Sequence, residues 1–235
     1  MNTNKNTYIF IYATVMIVIV AVLLSSASLL LKSKQDLNVE VEKKQNILSA
    51  IDISATALEA AEIYEKHITD SYCVNSKGDK IEGSDAFTVK LKDEFAKSEE
   101  LRQYPIFEAS TEDGSHVYIL PLQGKGLWGP IWGYVALKED MNTIFGAVFD
   151  HKGETPGLGS EIAKPEYQKQ FPGKTIFDEN GNYVSIDVIK PGSAEKSPHN
   201  VDGISGGTIT SKGLGAMLNS GLKNYLPFIE KIKSN

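Results

Sequence analysis

Apolar residues are spread unevenly along this chain. From Tyr8 to Leu31 they run without a charge. As a helix, these about 24 residues would reach roughly 36 Å, against about 30 Å of hydrocarbon in a bilayer. The run predicts a membrane-spanning helix. A cleaved signal peptide has a shorter apolar region behind a basic leader, and only Lys5 precedes this run. From residue 36 to about 68 Ala, Leu, Glu and Lys are dense, and Ile47, Ile51, Ala55 and Leu58 recur at helical spacing. One or two helices are expected there, the second starting at Ser54.

Beyond residue 70 the period shortens. Ser71 to Glu82 reads as a hairpin turning at Lys77-Gly78-Asp79, and Val89 to Leu101 as a polar surface helix with a solvated charged face. His116–Leu122, Ile131–Leu137 and Thr143–Asp150 are rich in Val, Ile, Phe and Tyr and separated by glycine-rich turns, the pattern of consecutive strands. Pro165 to Phe171 suits a short helix ended by Pro172-Gly173. Thr175–Phe177 and Tyr183–Lys190 suit a hairpin across Asp178-Glu179-Asn180-Gly181. Ser211 to Ile232 closes the chain as a helix with Leu214, Leu218, Leu222 and Tyr225 on one stripe, kinked or ended at Pro227. The fold class is α+β. The chain divides into a tail and transmembrane helix (1–34), a helical stalk or packing segment (35–70) and one mixed domain (71–235).

Composition narrows the function classes. Net charge is −6 over 235 residues, with no basic patch interleaved with aromatics, so nucleic acid is not an expected partner. The single cysteine, Cys73, excludes an intrachain disulfide and a cysteine-based metal site, and reads as a small buried hydrophobe. No metal site and no catalytic residue are expected.

Three segments carry candidate chemistry. Gly124-Lys125-Gly126-Leu127-Trp128-Gly129-Pro130-Ile131-Trp132-Gly133-Tyr134 gathers glycines and aromatics against which a flat cofactor can rest; alone, it also suits a strand turn with both tryptophans in the core. In His151-Lys152-Gly153-Glu154-Thr155-Pro156-Gly157-Leu158-Gly159, Glu154 and Thr155 can bond a ligand's polar edge while Leu158 covers its apolar face. Asp202-Gly203-Ile204-Ser205-Gly206-Gly207-Thr208-Ile209-Thr210-Ser211 precedes a helix. Its glycines let amides approach a bound group, its hydroxyls offer attachment oxygens, and a helix's first turn favours phosphate. Gly203–Gly207 also fits G-x-S-x-G, the serine-hydrolase elbow. That fold needs a histidine after the serine, and none follows Ser205.

Together, in this order and behind one N-terminal span, Gly-Lys-Gly-Leu-Trp (124–128) with Gly133-Tyr134-Val135-Ala136-Leu137, Glu-Thr-Pro-Gly-Leu-Gly (154–159) and Ser-Gly-Gly-Thr-Ile-Thr-Ser (205–211) resemble the FMN-binding domain family. The similar branch is its membrane member, the C-type component of sodium-translocating NADH:quinone oxidoreductases. The resemblance implies FMN joined through its phosphate to the hydroxyl of Thr208 by a flavin transferase, with Thr210 as fallback acceptor. It implies a phosphate held by Ser205, Gly206, Gly207, Thr208 and Thr210, and a ring between Leu127 and Trp128 on one side and Glu154, Thr155, Gly157 and Leu158 on the other. Gly207 replaces the family's usual alanine; Asp202 keeps the place of its aspartate. The implied role is electron relay among other subunits of a membrane redox complex, with NADH oxidised on another subunit, since no dinucleotide fingerprint is present.

The resemblance also implies a bacterial inner membrane crossed once, in contact with its lipid, and a domain in the periplasm. Lys32, Lys34, Lys43 and Lys44 after the span would by count keep the domain inside; large domains translocate despite such charge, and the resemblance is followed. Two rival readings stand beside this one. The first is the G component of an Rnf-type complex serving ferredoxin and NAD, against which the tryptophan-bearing 124–137 segment speaks. The second is a non-redox assembly module whose motif is an unmodified helix cap.

Overall fold

The computed structural model of the chain describes residues 6–193 and 196–234; Lys5 lies outside them. The chain divides into two compact units, Met1–Lys43 and Lys44–Asn235. Helix α1 (Asn6–Ser49) begins in the first. Its apolar stretch has a mean hydropathy of 2.6 over the most apolar window, and its side chains are exposed. It is long and apolar enough to cross a membrane. Ile and Val are modest helix formers in water, but in hydrocarbon the backbone must bond within itself, and no Gly or Pro interrupts the segment.

The second unit starts with the end of α1. The helix stops where Asp52 takes a φ of 60°, and the Ile53 amide folds back to the Leu48 carbonyl. Helix α2 (Ala60–His67) follows. It starts later than the sequence suggested: Ser54 lies in the connection, and Thr56 opens the turn by accepting the Glu59 and Ala60 amides on its carbonyl.

Strand β1 (Ile68–Val74) and β2 (Lys80–Ile81) make the expected hairpin. The expected helix over 89–101 is instead one turn, α3 (Leu91–Glu94), and a 3-10 turn at Glu99–Leu101. Glu94 causes the break. It turns inward, 6 % exposed, and accepts Lys97 Nζ and the Gln103 amide. Then come β3 (Tyr104–Ser110), β4 (His116–Lys125), β5 (Pro130–Lys138) and β6 (Ile144–His151). The six strands form an antiparallel sheet in the order β2-β1-β3-β4-β5-β6.

Alternation gives this sheet two buried faces. On β4, Leu120 and Leu122 enter one core, and Val117 and Ile119 the other. The first core is closed by α4 (Pro165–Gln168), α5 (Thr208–Lys223) and α6 (Leu226–Ser234) through Tyr167, Leu214, Leu218, Leu222 and Phe228. Each fully buried leucine on α5 contributes about 1.5–3 kcal/mol. The second core packs Ile47, Leu48, Ile51 and Ile53 against Cys73, Phe107 and Ile119.

Two further expectations change. Phe177 and Tyr183 meet in one antiparallel bridge across an Asp178 turn, but the second arm leaves that partner. Strand β7 (Asp187–Ile189) pairs in parallel with β8 (Asn200–Asp202). The C-terminal helix begins at Thr208, not Ser211, and breaks at Asn224–Tyr225. Pro227 sits in the first turn of α6, where a missing amide costs nothing, so it marks a start and not a kink.

Strand β3 falls in residues 102–115, where the sequence pattern predicts no element, and it carries Pro105, unusual in a central strand. The β3–β4 ladder runs from Ser110↔His116 to Phe107↔Ile119, and continuing its register sets Pro105 opposite Pro121. Neither proline has an amide to give the other's carbonyl. Tyr225, 1 % exposed between α5 and α6, supplies the donor: its hydroxyl lies 3.1 Å from the Pro105 oxygen and 2.9 Å from that of Pro121. Tyr225→Phe should therefore lower unfolding free energy by about 1–3 kcal/mol, the cost of orphaned buried carbonyls. A urea titration of the full chain in detergent with unchanged slope is the check; an unchanged midpoint would show that the hydroxyl is dispensable.

Candidate functional site

The three candidate segments converge where the N-terminal end of α5 meets the turn joining β4 to β5 and the loop leaving β6. Leu127, Glu154, Thr155, Leu158, Gly159, Gly206, Gly207, Thr208, Ile209 and Thr210 line a recess of ≈ 220 Å³. A larger groove of ≈ 590 Å³ runs along β6, between Asn46 and Lys169, but it gathers none of the three motifs. The smaller recess is the better candidate because the hydroxyls, glycines and apolar groups meet there.

Glu154 organises it. Its side chain is 4 % exposed at the base of the recess. One carboxylate oxygen accepts the Trp128 amide at 2.8 Å, and the other accepts the Thr210 hydroxyl at 2.5 Å. The Glu154 amide donates to His151 Nδ1 at 3.1 Å. Glycine is required around this carboxylate: a Cβ on Gly126 would stand 2.5 Å from one oxygen, and a Cβ on Gly159 2.5 Å from the other. Burial acts to raise the carboxyl's pKa, but the bonds from Thr210 and Trp128, with His151 nearby, outweigh it and hold the group below its ordinary value. Both oxygens are thus engaged with the protein itself.

Helix α5 opens with Gly207 at its N-cap and no side-chain cap. Gly206 precedes it at φ 77°, where a side chain would be strained and would also press on Leu158. The amides of Thr208, Ile209 and Thr210 have no acceptor among the described residues, so the first turn presents donors and the positive end of the helix dipole. An alanine at 207 would bring its Cβ to 3.0 Å from Ile204 Cγ2, so the smaller residue relieves a tight contact.

The hydroxyls fall into two sets. Thr208 and Ser205 are exposed. Thr210, 1 % exposed, is bonded to Glu154; Ser211, 6 % exposed, accepts the Ile204 amide at 2.9 Å. Leu127, Leu158 and Ile209 give the recess an apolar rim, exposed at 46 %, 41 % and 57 %. Ile209 and Gly159 were missed in the sequence. Both sit inside the motifs, but only the turn of the helix and the approach of Glu154 reveal them.

Three sequence-derived site residues stand outside the recess. Trp128 is 70 % exposed, neither core nor lining, with its ring nitrogen 3.2 Å from Thr155 Oγ1. Gly157, at φ 74°, makes the turn before Leu158, its amide bonding Glu161. Ser205 lies before the helix, and no histidine among the described residues bonds it. Trp132 is half-buried on β5 and Cys73 fully buried. His151 accepts the Glu154 backbone amide on Nδ1.

Comparison with known proteins gives the family. Residues 126–223, from the turn beside Glu154 to the end of α5, match the FMN-binding domain family. The C-type component of the Na(+)-translocating NADH-quinone reductase of Haemophilus ducreyi, NqrC, is 34 % identical over 227 residues, covering 89 % of this chain and 88 % of its own. The crystal structure of the corresponding NqrC component from Parabacteroides distasonis superposes with a TM-score of 0.78 at 45 % identity, over 85 % of this chain and 96 % of that one. The Shewanella oneidensis NqrC structure gives 0.71 at 26 % identity, over 83 % and 98 %. On the identity and coverage of these relatives, the chain belongs to the NqrC family, the C-type component of Na(+)-translocating NADH-quinone reductases.

Proposed function

We propose that this chain is a membrane-anchored flavoprotein subunit of a sodium-pumping NADH:quinone reductase, with FMN esterified through its phosphate to Thr208. The observation that carries the reading is the exposed Thr208 hydroxyl at the mouth of a recess whose helix turn offers unpartnered amides.

The residues present fit such a group. A phosphate at the start of α5 meets amides of Thr208, Ile209 and Thr210 and the dipole's positive end, each worth up to about 1 kcal/mol to a nearby anion. Gly206 and Gly207 keep side chains out of its way. Leu127, Leu158 and Ile209 provide apolar cover for a ring and exclude water from it. Thr155, on the same rim and in reach of Trp128, supplies a polar contact. When bound, FMN supplies electron transfer that side chains cannot. An ester to the protein removes the cost of holding a dissociable ligand, which suits a relay that never exchanges its carrier. This chain would receive and pass electrons among neighbouring subunits, and NADH would be oxidised elsewhere in the complex.

The apolar part of α1 anchors the chain once in the bacterial inner membrane, in contact with its lipid, and the domain faces the periplasm, where a flavin transferase reaches Thr208. Protease added to intact spheroplasts should remove the domain; full protection would place it in the cytoplasm.

Thr208→Ala should abolish covalent flavin. Undiminished flavin fluorescence of the denatured band in a gel would reject the ester. Glu154 adds an acid-sensitive element. Its folded-state pKa lies below the ordinary 4.5, so its contribution to stability is complete above that value and is lost as pH falls through the folded one. Glu154→Gln should cost about 1–2 kcal/mol at neutral pH, the scale of a lost charged hydrogen bond. The difference in melting temperature between parent and variant should narrow as pH drops below 4.5. A gap constant from pH 7 to 3 would show that the charge is not what matters.

A further inference from the structure

Two threonines flank Ile209, and chemically they are equivalent acceptors. Two positions along an α-helix turn a side chain by about 200°, so they face nearly opposite ways. Thr208 is exposed at the recess, whereas Thr210 is 1 % exposed with its hydroxyl donating to Glu154 at 2.5 Å. The clamp on Thr210 is itself held. The second carboxylate oxygen takes the Trp128 amide, Gly126 and Gly159 open the space the carboxylate fills, and His151 bonds the Glu154 amide.

We propose that Glu154 sets the regiochemistry of flavin attachment: by engaging the Thr210 hydroxyl it withholds that oxygen from the transferase and leaves Thr208 as the acceptor. Glu154 is thus a positioning residue and makes no contact with the flavin phosphate. The inference rests on the flavin-ester reading above.

The step it directs is a phosphoryl-type transfer without redox change. The donor is a flavin nucleotide activated as a phosphoanhydride. A bond forms between Thr208 Oγ1 and the flavin-side phosphorus, the anhydride P–O bond breaks, and the departing nucleotide phosphate carries away the electron pair. The hydroxyl proton passes to that phosphate or to solvent. A hydroxyl must be approachable by the donor, with its oxygen turned toward it. Thr208 is exposed at the recess. Thr210 is 1 % exposed, and its bond to Glu154 holds its oxygen turned inward beneath the rim. Ser211 is 6 % exposed, its oxygen accepting the Ile204 amide.

The experiment co-expresses the full chain with a flavin transferase and maps flavin to residues by peptide mass spectrometry. The parent should carry flavin on Thr208 alone. Thr208→Ala should carry none, although Thr210 remains. Thr208→Ala combined with Glu154→Ala should regain flavin, now on Thr210. Glu154→Gln in the same background, which keeps the side chain's size and replaces one acceptor oxygen by a donor, should do so to a lesser degree and serves if the alanine variant fails to fold. A role for Glu154 in stability alone would lower yield without moving the modified residue. Flavin on Thr210 in the Thr208→Ala protein would overturn the proposal, as would a bare Thr210 in a folded double variant. A parent chain without any flavin would instead refute the ester reading on which it stands.

Discussion

The carboxylate of Glu154 joins three stretches of chain that are far apart in sequence: the turn between β4 and β5, the loop after β6, and the first turn of α5. A buried carboxylate is tolerated only when hydrogen bonds replace its water. Here each oxygen has a donor, so burial and bonding are balanced locally and the three segments are fixed relative to one another.

The sheet beneath makes this precision achievable. Its central strands β3, β4 and β5 are buried on both faces, so alternate residues there enter one core or the other. That double burial leaves little freedom of register, because a one-residue slip exchanges the two cores. The cost appears where β3 and β4 carry facing prolines, and there the hydroxyl of Tyr225 stands in for the ladder. Since Tyr225 follows directly on α5, the same contact seats the helix whose other end forms the site.

The relatives of this chain are named as one component of a sodium-translocating reductase, and residues 126–223 match an FMN-binding domain. The α5 terminus offers such a domain two features. Its amides favour a phosphate, and its helical turn separates two like hydroxyls, one reaching solvent and the other a carboxylate.

Much of this was legible in the residues. The uncharged N-terminal run, the three Val/Ile/Phe/Tyr-rich strands and the leucine stripe of α5 announce themselves because burial imposes a period. The three motifs pointed to one site only together and in order, through the family they resemble, since a strand turn or a helix cap accounts for the first or the third alone. What escaped depended on distant partners. Strand β3 carries Pro105, whose carbonyl meets the distant Tyr225 hydroxyl. Strand β7 pairs with β8, across a connection no local pattern reports. The bonds of Glu154 to Thr210 and to the Trp128 amide were not legible because sequence gives a carboxylate without its direction. Thr210 is the fallback to Thr208 when the helix is expected from Ser211; begun at Thr208, the helix turns the two side chains apart. Local chemistry therefore determined which atoms are available to the site, while the packing of α5 against Glu154 and the β4–β5 turn decided which of them face a ligand, since orientation is set by contacts that no window of sequence contains.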